Sequence, residues 1–300
     1  MKALFARLPS AVDARIRAFA IASLVSQVLI VATGGAVRLT GSGLGCPTWP
    51  RCTEDSFVNT PEMGIHGVIE FGNRLLTFVL VIIAIAMFVL ILRIRRERRD
   101  LFVLALLLGL GIPAQAVIGG ISVLTDLNPY VVGLHFVVSA VLVVLATMLV
   151  YRVYSGPRGT RSLVPLWYSA LAHATSVLVA ITILVGILTT GSGPHAGDSG
   201  AARNGLDSEF LQHLHSWPAY ATFAASLLLL IGAFRLARPR LVRFTLILVV
   251  VEITQILVGL AQARLGLPEI LVGIHMVLAC VLAGAMTAVV LSMREPLERQ

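Results

Sequence analysis

The stretch "QAVIGGISVLTDLNPYVVGLH" at residues 115–135 returns in altered form as "QILVGLAQARLGLPEILVGIH" at residues 255–275. In both copies a glutamine precedes a histidine by 20 residues, one glycine follows the glutamine by four, and another precedes the histidine by two. The motif "TGSG" also occurs twice, at 40–43 and at 190–193. Similarity at an offset of 140 to 150 residues predicts two halves built to one plan.

The chain as a whole is strongly apolar. It has 300 residues, of which 57% are hydrophobic and 13% charged, with a mean hydropathy of +0.92. Such values are typical of a membrane protein. We therefore predict an all-α polytopic membrane protein in which two tandem-repeated four-helix bundles supply eight transmembrane helices. The predicted spans are 18–38, 63–94, 101–123, 130–151, 164–189, 207–234, 243–264 and 270–293.

The basic residues indicate the orientation of these spans. Of the 23 lysines and arginines, 18 lie in the two tails and in alternate connections, from Lys2 and Arg7 to Arg299. This asymmetry predicts cytoplasmic termini in the plasma membrane, and it assigns the net charge of +8 to topology rather than to nucleic-acid binding. The predicted segments are a cytoplasmic tail at 1–17, the N-terminal bundle at 18–151, a cytoplasmic linker at 152–163, the C-terminal bundle at 164–293 and a second tail at 294–300.

Histidines inside the spans are the candidate ligands. A lone membrane histidine often only bonds one helix to another. His135 and His275, however, occupy equivalent positions in the two copies, which favours haem, whose iron can take imidazoles from two helices. His215 on the sixth span is the predicted partner of His275 around a b-type haem. His213 on the same span is a weaker candidate, and His195 in "TGSGPHAGD" is a candidate loop residue at a haem site.

The second span, which begins with "IHGVIEFGNRLLT" at 65–77, gives the N-terminal half a different character. Its "EFGNR" aligns with "QHLHS" at 212–216, so that Asn73 stands where the other half has a histidine. A site with His135 as its one firm ligand leaves room for chemistry beside the carboxylate of Glu70. His66 shares the helical stripe and is a candidate second ligand or proton carrier. Arg74 is expected to pair with Glu70 or to bind a haem propionate.

Two cysteines mark the first outer loop. Cys46 and Cys52 flank "PTWPR", and outside the cytoplasm such a pair is expected to form a disulfide above the N-terminal pocket. A redox-active pair is the alternative interpretation.

These motifs together resemble the haem A synthase family of the bacterial type. The resemblance runs from "GGAVRLTGSGLGCPTWPRC" through "IEFGNR", "GLHF", "TGSGPHAGD" and "LQHLHS" to "GIHM". It implies an oxidoreductase that converts the C8 methyl of haem O to a formyl group by successive hydroxylations, making haem A for a terminal oxidase. It also implies that Glu70 is the catalytic carboxylate, that His135 binds the substrate haem, and that His215 and His275 bind the iron of a haem b cofactor. The family commonly has Glu-x-x-His-Arg in this span, and this sequence departs from that pattern at Asn73.

The resemblance also implies partners. Haem O is the expected substrate and haem A the expected product. The expected partners are haem O synthase, terminal oxidase assembly proteins, an electron acceptor and membrane lipid. Association with further copies of the chain is an open alternative.

Two other functional classes remain. A di-haem cytochrome b that exchanges electrons with quinol explains the paired histidines, but not Glu70, Asn73 or the cysteine loop. A transporter built from duplicated bundles is less favoured, because no span is visibly broken at its midpoint.

Overall fold

Eight long helices make up most of the computed structural model, which describes residues 8–296. Each is long and apolar enough to cross a membrane, which confirms the eight predicted spans, and their ends lie within four residues of the predicted ones. The helices are α1 (Ala14–Leu39), α2 (Gly64–Ile91), α3 (Arg99–Leu124), α4 (Pro129–Ser155), α5 (Leu166–Ser192), α6 (Ser208–Arg235), α7 (Pro239–Arg264) and α8 (Glu269–Ser292). Short 3₁₀ turns at Pro61–Met63 and Leu92–Ile94 flank α2.

Local sequence explains where several helices begin and end. The N–H of Ile16 donates to Asp13 at the start of α1, and that of Phe210 donates to Asp207 at the start of α6. Such side-chain acceptors satisfy backbone donors that have no partner within the helix. At the end of α4, Gly156 adopts a φ of 82°, a conformation that suits a residue without a side chain.

Each half closes into a ring of four helices. In the first half α1 packs on α2, α2 on α3, α3 on α4 and α4 on α1, and α5 to α8 repeat this order in the second half. The halves meet mainly where α8 contacts α4 and α1. Buried cores built around Leu101 and Leu149 in one ring and around Tyr168 and Leu229 in the other hold the helices together. A common origin of the halves remains a prediction.

A small sheet, which the all-α prediction missed, joins the linker to the C-terminal segment. Strand β1 (Arg158–Ser162) pairs antiparallel with β2 (Arg294–Pro296), and the N–H of Leu163 donates to the carbonyl of Met293 (2.8 Å). The predicted end of the first bundle at residue 151 falls inside α4, which continues to Ser155. Residues 1–7 and 297–300 of the predicted tails, including Lys2, Arg7 and Arg299, lie outside the described residues.

The two ends of the helical assembly carry different features. The termini face holds the β1–β2 pair, and the opposite disulfide face holds the loop that contains Cys46 and Cys52. Which face is cytoplasmic remains a prediction from the basic residues.

Candidate functional site

A cavity of about 1260 Å³ lies between the helices and is lined by both halves. It exceeds the roughly 300–1,000 Å³ of most small-molecule sites. His135, His215 and His275 all line it, together with Glu70. Three of the histidines singled out in the sequence therefore line one cavity that both halves share.

Two imidazoles face each other in the C-terminal half. The rings of His215 on α6 and His275 on α8 have centroids 6.2 Å apart and planes inclined at 72°. Metal–nitrogen bonds of about 2 Å on either side of one ion would place two such centroids about 6 Å apart. The Nδ1 of His215 lies 3.0 Å from the carbonyl oxygen of Thr182, an arrangement in which Nδ1 donates and Nε2 is left to bind a metal.

Glycines make room for these imidazoles. A Cβ atom on Gly259 would lie 3.0 Å from Cε1 of His275, and one on Gly186 would lie 2.9 Å from Cε1 of His215. In the N-terminal half a Cβ atom on Gly119 would approach Cε1 of His135 to 3.1 Å. The glycine four residues after each repeated glutamine therefore allows an imidazole to lie close to the helix backbone.

The repeated glutamines hold the histidine-bearing helices. The Nε2 of Gln255 donates to the backbone carbonyl of His275 (3.1 Å), and the Nε2 of Gln115 donates to that of His135 (3.1 Å). The Nδ1 of both histidines is buried and finds no hydrogen-bond partner within residues 8–296. Buried polar atoms without a partner are costly, so these rings at the wall of the cavity are suited to a group that the protein itself does not supply.

The donor set fits haem better than a bare metal ion. Nowhere in residues 8–296 do three His, Cys, Asp or Glu side chains gather as ligands of one ion. Two opposed imidazoles in a largely apolar cavity instead suit iron that brings its own equatorial nitrogens. His215 and His275 therefore fit a haem with two axial histidines.

The N-terminal half presents one imidazole and a carboxylate. Glu70 is 5% exposed and accepts from Nη2 of Arg74 (2.5 Å) and from the backbone N–H of Cys46 (2.6 Å). Arg74 also donates to the backbone carbonyls of Cys46 and Thr48. Of the two predicted roles of Arg74, the structure shows the pairing with Glu70.

Asn73 also lines the cavity, but His66 does not. The Oδ1 of Asn73 accepts from Oγ1 of Thr33 (2.7 Å) and so ties α2 to α1. His66 lies in the first turn of α2, is exposed, and has its Nδ1 2.9 Å from Oγ of Ser42. His66 therefore stands apart from the other polar residues of the stripe, and its role as second ligand or proton carrier stays a prediction.

The disulfide loop covers the N-terminal part of the cavity. Cys46 and Cys52 are bonded, which confirms the predicted pair, and both are fully buried. Trp49 and Pro50 between them line the cavity, and the Trp49 ring packs so closely on α3 that a side chain at Gly120 would clash with it.

The remaining candidates lie outside the cavity. His213 is exposed on the first turns of α6. The Nε2 of His195 lies 2.9 Å from the carbonyl of Leu267, so this side chain joins two loops of the disulfide face. Neither residue lines the cavity, although Pro194 and Ala196 beside His195 do.

Sequence reasoning missed three charged residues of the cavity wall, Arg38, Glu209 and Glu252. Arg38, counted above only among the basic residues, donates from Nε to the carbonyl of His195 (2.7 Å) and from Nη2 to that of Thr190 (3.1 Å). Its place beside the first "TGSG" was the available signal. Glu252 is a buried carboxyl on α7, and a glutamate inside a predicted span was the signal for it.

Comparisons with known proteins agree with these features. Residues 17–287 match a family model, COX15-CtaA, described as cytochrome oxidase assembly protein. A heme A synthase of Lysinibacillus sphaericus (strain C3-41) is 34% identical over 141 residues, which cover 45% of each chain. One from Geobacillus thermodenitrificans is 31% identical over 46% of this chain and 43% of its own. One from Bacillus pumilus (strain SAFR-032) is 29% identical over 217 residues, or 69% of each chain. The matched segment therefore spans less than half the length of the first two relatives.

Proposed function

The chain belongs to the COX15-CtaA family of cytochrome oxidase assembly proteins, and from that premise we propose that it is a haem A synthase. In this proposal it is an oxidoreductase that converts the C8 methyl of haem O to a formyl group. The cavity holds two haems. Haem O, the substrate, occupies the N-terminal half, and haem b, an electron-carrying cofactor, occupies the C-terminal half.

The main support for the proposal is the difference between the two halves of the cavity. His215 and His275 face each other at a centroid distance of 6.2 Å. Across from His135, by contrast, the aligned position holds Asn73, and a buried carboxylate stands one turn away. A haem with two axial imidazoles suits electron transfer, and a pocket with one imidazole and a carboxylate suits chemistry.

Each residue of the N-terminal half then has a role. Bound haem supplies the redox chemistry of its iron and macrocycle. His135 holds the substrate from one side, and the amide of Asn73, engaged with Thr33, provides no imidazole on the other. Glu70 accepts protons released as the methyl group is oxidised, because its carboxylate lines the cavity. Arg74 positions that carboxylate and joins it to the disulfide loop.

The proposal includes the surroundings of the enzyme. The protein lies in the cell membrane with both termini in the cytoplasm, receives haem O from haem O synthase and releases haem A toward terminal oxidase assembly. The eight apolar helices support a membrane location, and the basic residues support the orientation.

The test is to co-express the full chain with a source of haem O, extract its non-covalent haem and identify the haem by mass. Glu70→Gln is the informative variant, because glutamine can still accept from Cys46 but cannot hold a proton. Glu62→Gln, an exposed position outside the cavity, is the matched control.

Haem A or its hydroxylated precursor is expected in the wild type and in Glu62→Gln. Glu70→Gln should lower their yield about 100-fold or more, the usual scale of acid–base catalysis, while haem b is retained. Unchanged haem A in Glu70→Gln would remove Glu70 from the mechanism. Haem B alone in every sample would overturn the synthase and support the electron-transfer cytochrome b.

A further inference from the structure

Glu252 is a buried carboxyl that the proposed mechanism does not use. Its side chain lines the cavity, and the residue is 3% exposed. Oε1 accepts from Oγ of Ser226 on α6 (2.9 Å), while Oε2 is buried without a hydrogen-bond partner in the described part of the chain. Ionisable groups inside transmembrane helices are expensive and commonly mark ion or proton sites.

Glu252 is the innermost member of a polar stripe on α7. Gln255, Gly259 and Gln262 follow it at spacings of three, seven and ten residues, so the four share one helix face, and all line the cavity. Oε1 of Gln255 and Oε1 of Gln262 are also buried without a partner among residues 8–296. Unpaired acceptors that follow one another along a cavity wall are suited to bridging waters. The stripe spans about 15 Å and leads toward the end of α7 on the disulfide face.

The first half has a similar stripe on α3, formed by Gln115, Gly119 and Ser122, and only the carboxyl is particular to the half with two facing imidazoles. The position equivalent to Glu252, 140 residues earlier, is Ile112, which also lines the cavity. The imidazole of His275 lies beside Gly259, where an added Cβ atom would come within 3.0 Å of its Cε1, so Glu252 lies about 10 Å, or two turns, deeper along α7 than that imidazole.

Other titratable groups on the helices packed against α7 do not neutralise Glu252. Among residues 8–296 no ion pair includes this carboxyl, and Ser226 is its hydrogen-bond partner. Cys280 on α8 faces the other way, in a cluster with Val31 and Ala140. On α6 the titratable residues are Glu209, His213, His215, Tyr220 and Arg235, and on α8 they are Glu269, His275 and Cys280. Tyr168 of α5 and Tyr151 of α4 also contact α7, at Thr245 and Phe244, about 10 Å nearer the termini face than Glu252. Those that line the cavity are Glu209, His215, Tyr220 and His275, all nearer the disulfide face.

We propose that Glu252 is a proton-exchange site coupled to the haem of the C-terminal half. The inference rests on the proposed function, in which His215 and His275 hold that haem. As the iron gains one electron from substrate oxidation, the carboxylate of Glu252 binds one proton delivered along the α7 stripe from water at the disulfide face. The added negative and positive charges cancel, and when an external electron acceptor removes the electron, Glu252 releases the proton by the same route. Compensation of this kind matters because charges interact strongly in an apolar interior.

The test uses the purified, haem-loaded full chain and a reduced-minus-oxidised infrared difference spectrum. The wild type should gain a carboxylic acid C=O band on reduction, shifted in D₂O, and Glu252→Gln should lose this band. The midpoint potential of the bis-histidine haem, followed by its absorbance, should fall as pH rises in the wild type, and this slope should be lost in Glu252→Gln. Glu209→Gln removes another carboxyl of the same cavity and should retain both signals.

The outcomes separate the two proposals. A wild type without a bis-histidine haem overturns the proposed function and this inference together. A wild type with that haem, but with the band and the slope unchanged in Glu252→Gln, overturns the inference alone. If Glu252→Gln does not bind haem, the Ser226→Ala variant tests the assignment instead. Loss of the hydrogen bond from Ser226 to Oε1 must shift the frequency of the C=O band if that band belongs to Glu252. An unmoved band contradicts the assignment.

Discussion

Glu70 uses both of its carboxyl oxygens within the protein. One accepts from Arg74 and the other from the backbone N–H of Cys46, so the residue proposed to carry protons also fastens the disulfide loop to α2. Chemistry at Glu70 and closure of the N-terminal pocket therefore depend on the same few contacts. A variant at this position has to be compared with one that weakens the attachment of the loop while it keeps the carboxylate of Glu70.

Arg74→Lys provides that comparison. A guanidinium donates to several carbonyls at once, whereas an ammonium group is a compact charge that cannot reproduce the planar fork. Loss of one or two charge-assisted hydrogen bonds, each worth about 1.5–3 kcal/mol, should speed hydrogen exchange of the amides at 46–52 by about 10-fold or more. Arg51→Lys, an exposed position in the same loop, should leave exchange at these amides close to that of the wild type. Equal exchange in Arg74→Lys and the wild type would mean that Arg74 does not hold the loop.

The glycines beside the imidazoles allow the two proposed haem sites to be perturbed separately. A Cβ atom at Gly259 would push on His275 and one at Gly119 on His135, whereas one at Gly109, also on the cavity wall, meets nothing within 4 Å. Overpacking of about 1–3 kcal/mol predicts that Gly259→Ala weakens binding of haem b by about 10-fold or more. Gly119→Ala should lower the content of haem O or haem A instead, and Gly109→Ala should alter neither.

Haem content per protein, measured by extraction and mass, checks this prediction. Loss of the same haem in Gly259→Ala and Gly119→Ala would contradict the assignment of one haem to each half.

The sequence predicted the histidines better than the charges around them. Periodicity places His66, Glu70 and Asn73 on one stripe, but it does not show that Glu70 and Asn73 line the cavity while His66 does not. Arg38 contacts the backbone of a loop more than 150 residues away, and no local pattern predicts such a contact.

At the scale of elements, the disulfide loop is the feature that sets the first half apart. It lies against α3 through Trp49 and against α2 through Glu70 and Arg74. The corresponding loop of the second half contains no cysteine. There Arg38 of α1 donates to the carbonyl of His195, and the His195 side chain contacts the carbonyl of Leu267.

Replacing Cys46 and Cys52 together by serine should therefore affect one half. A cross-link that closes so short a loop contributes about 2–3 kcal/mol, chiefly by restricting the unfolded loop. We expect the double variant to retain haem b while its haem A yield falls, with Cys280→Ser as the control because that cysteine is unpaired. Pyridine haemochrome spectra of the purified proteins measure both quantities. Loss of haem b together with haem A would indicate that the loop supports the whole molecule.

Helices were predicted more completely than strands. Long apolar runs define eight spans to within four residues, because a membrane requires that length of apolar helix. The β1–β2 pair joins polar segments more than 130 residues apart, and neither segment has the alternation of a strand. Its existence depends on the ends of α4 and α8 lying side by side, which a local pattern does not contain.

At the scale of the whole molecule, the two rings share one cavity and one main interface. Helix α8 contacts α4 and α1, so the helix that carries His275 also packs on the helix that carries His135. The repeated sequence predicted two bundles, but not that their pockets join.

Orientation is a whole-molecule prediction that still rests on the basic residues. A phosphatase that is active only outside the cytoplasm should be inactive when fused after residue 300 and active when inserted between Asp55 and Ser56 of the disulfide loop. A matched cytoplasmic reporter should give the opposite pattern. Activity of the phosphatase at the C-terminus would reverse the assignment of the faces and, with it, the side from which Glu252 receives protons.

In the proposed function, one cavity holds two haems with different ligands and different roles. The most direct measurement is the identity and amount of haem in three purified proteins: the wild type, His135→Ala and His275→Ala. We predict haem b together with haem O or haem A in the wild type, loss of haem O and haem A alone in His135→Ala, and loss of haem b in His275→Ala. If both substitutions remove the same haem, or if the wild type holds a single haem, the division of the cavity into a substrate half and a cofactor half is wrong.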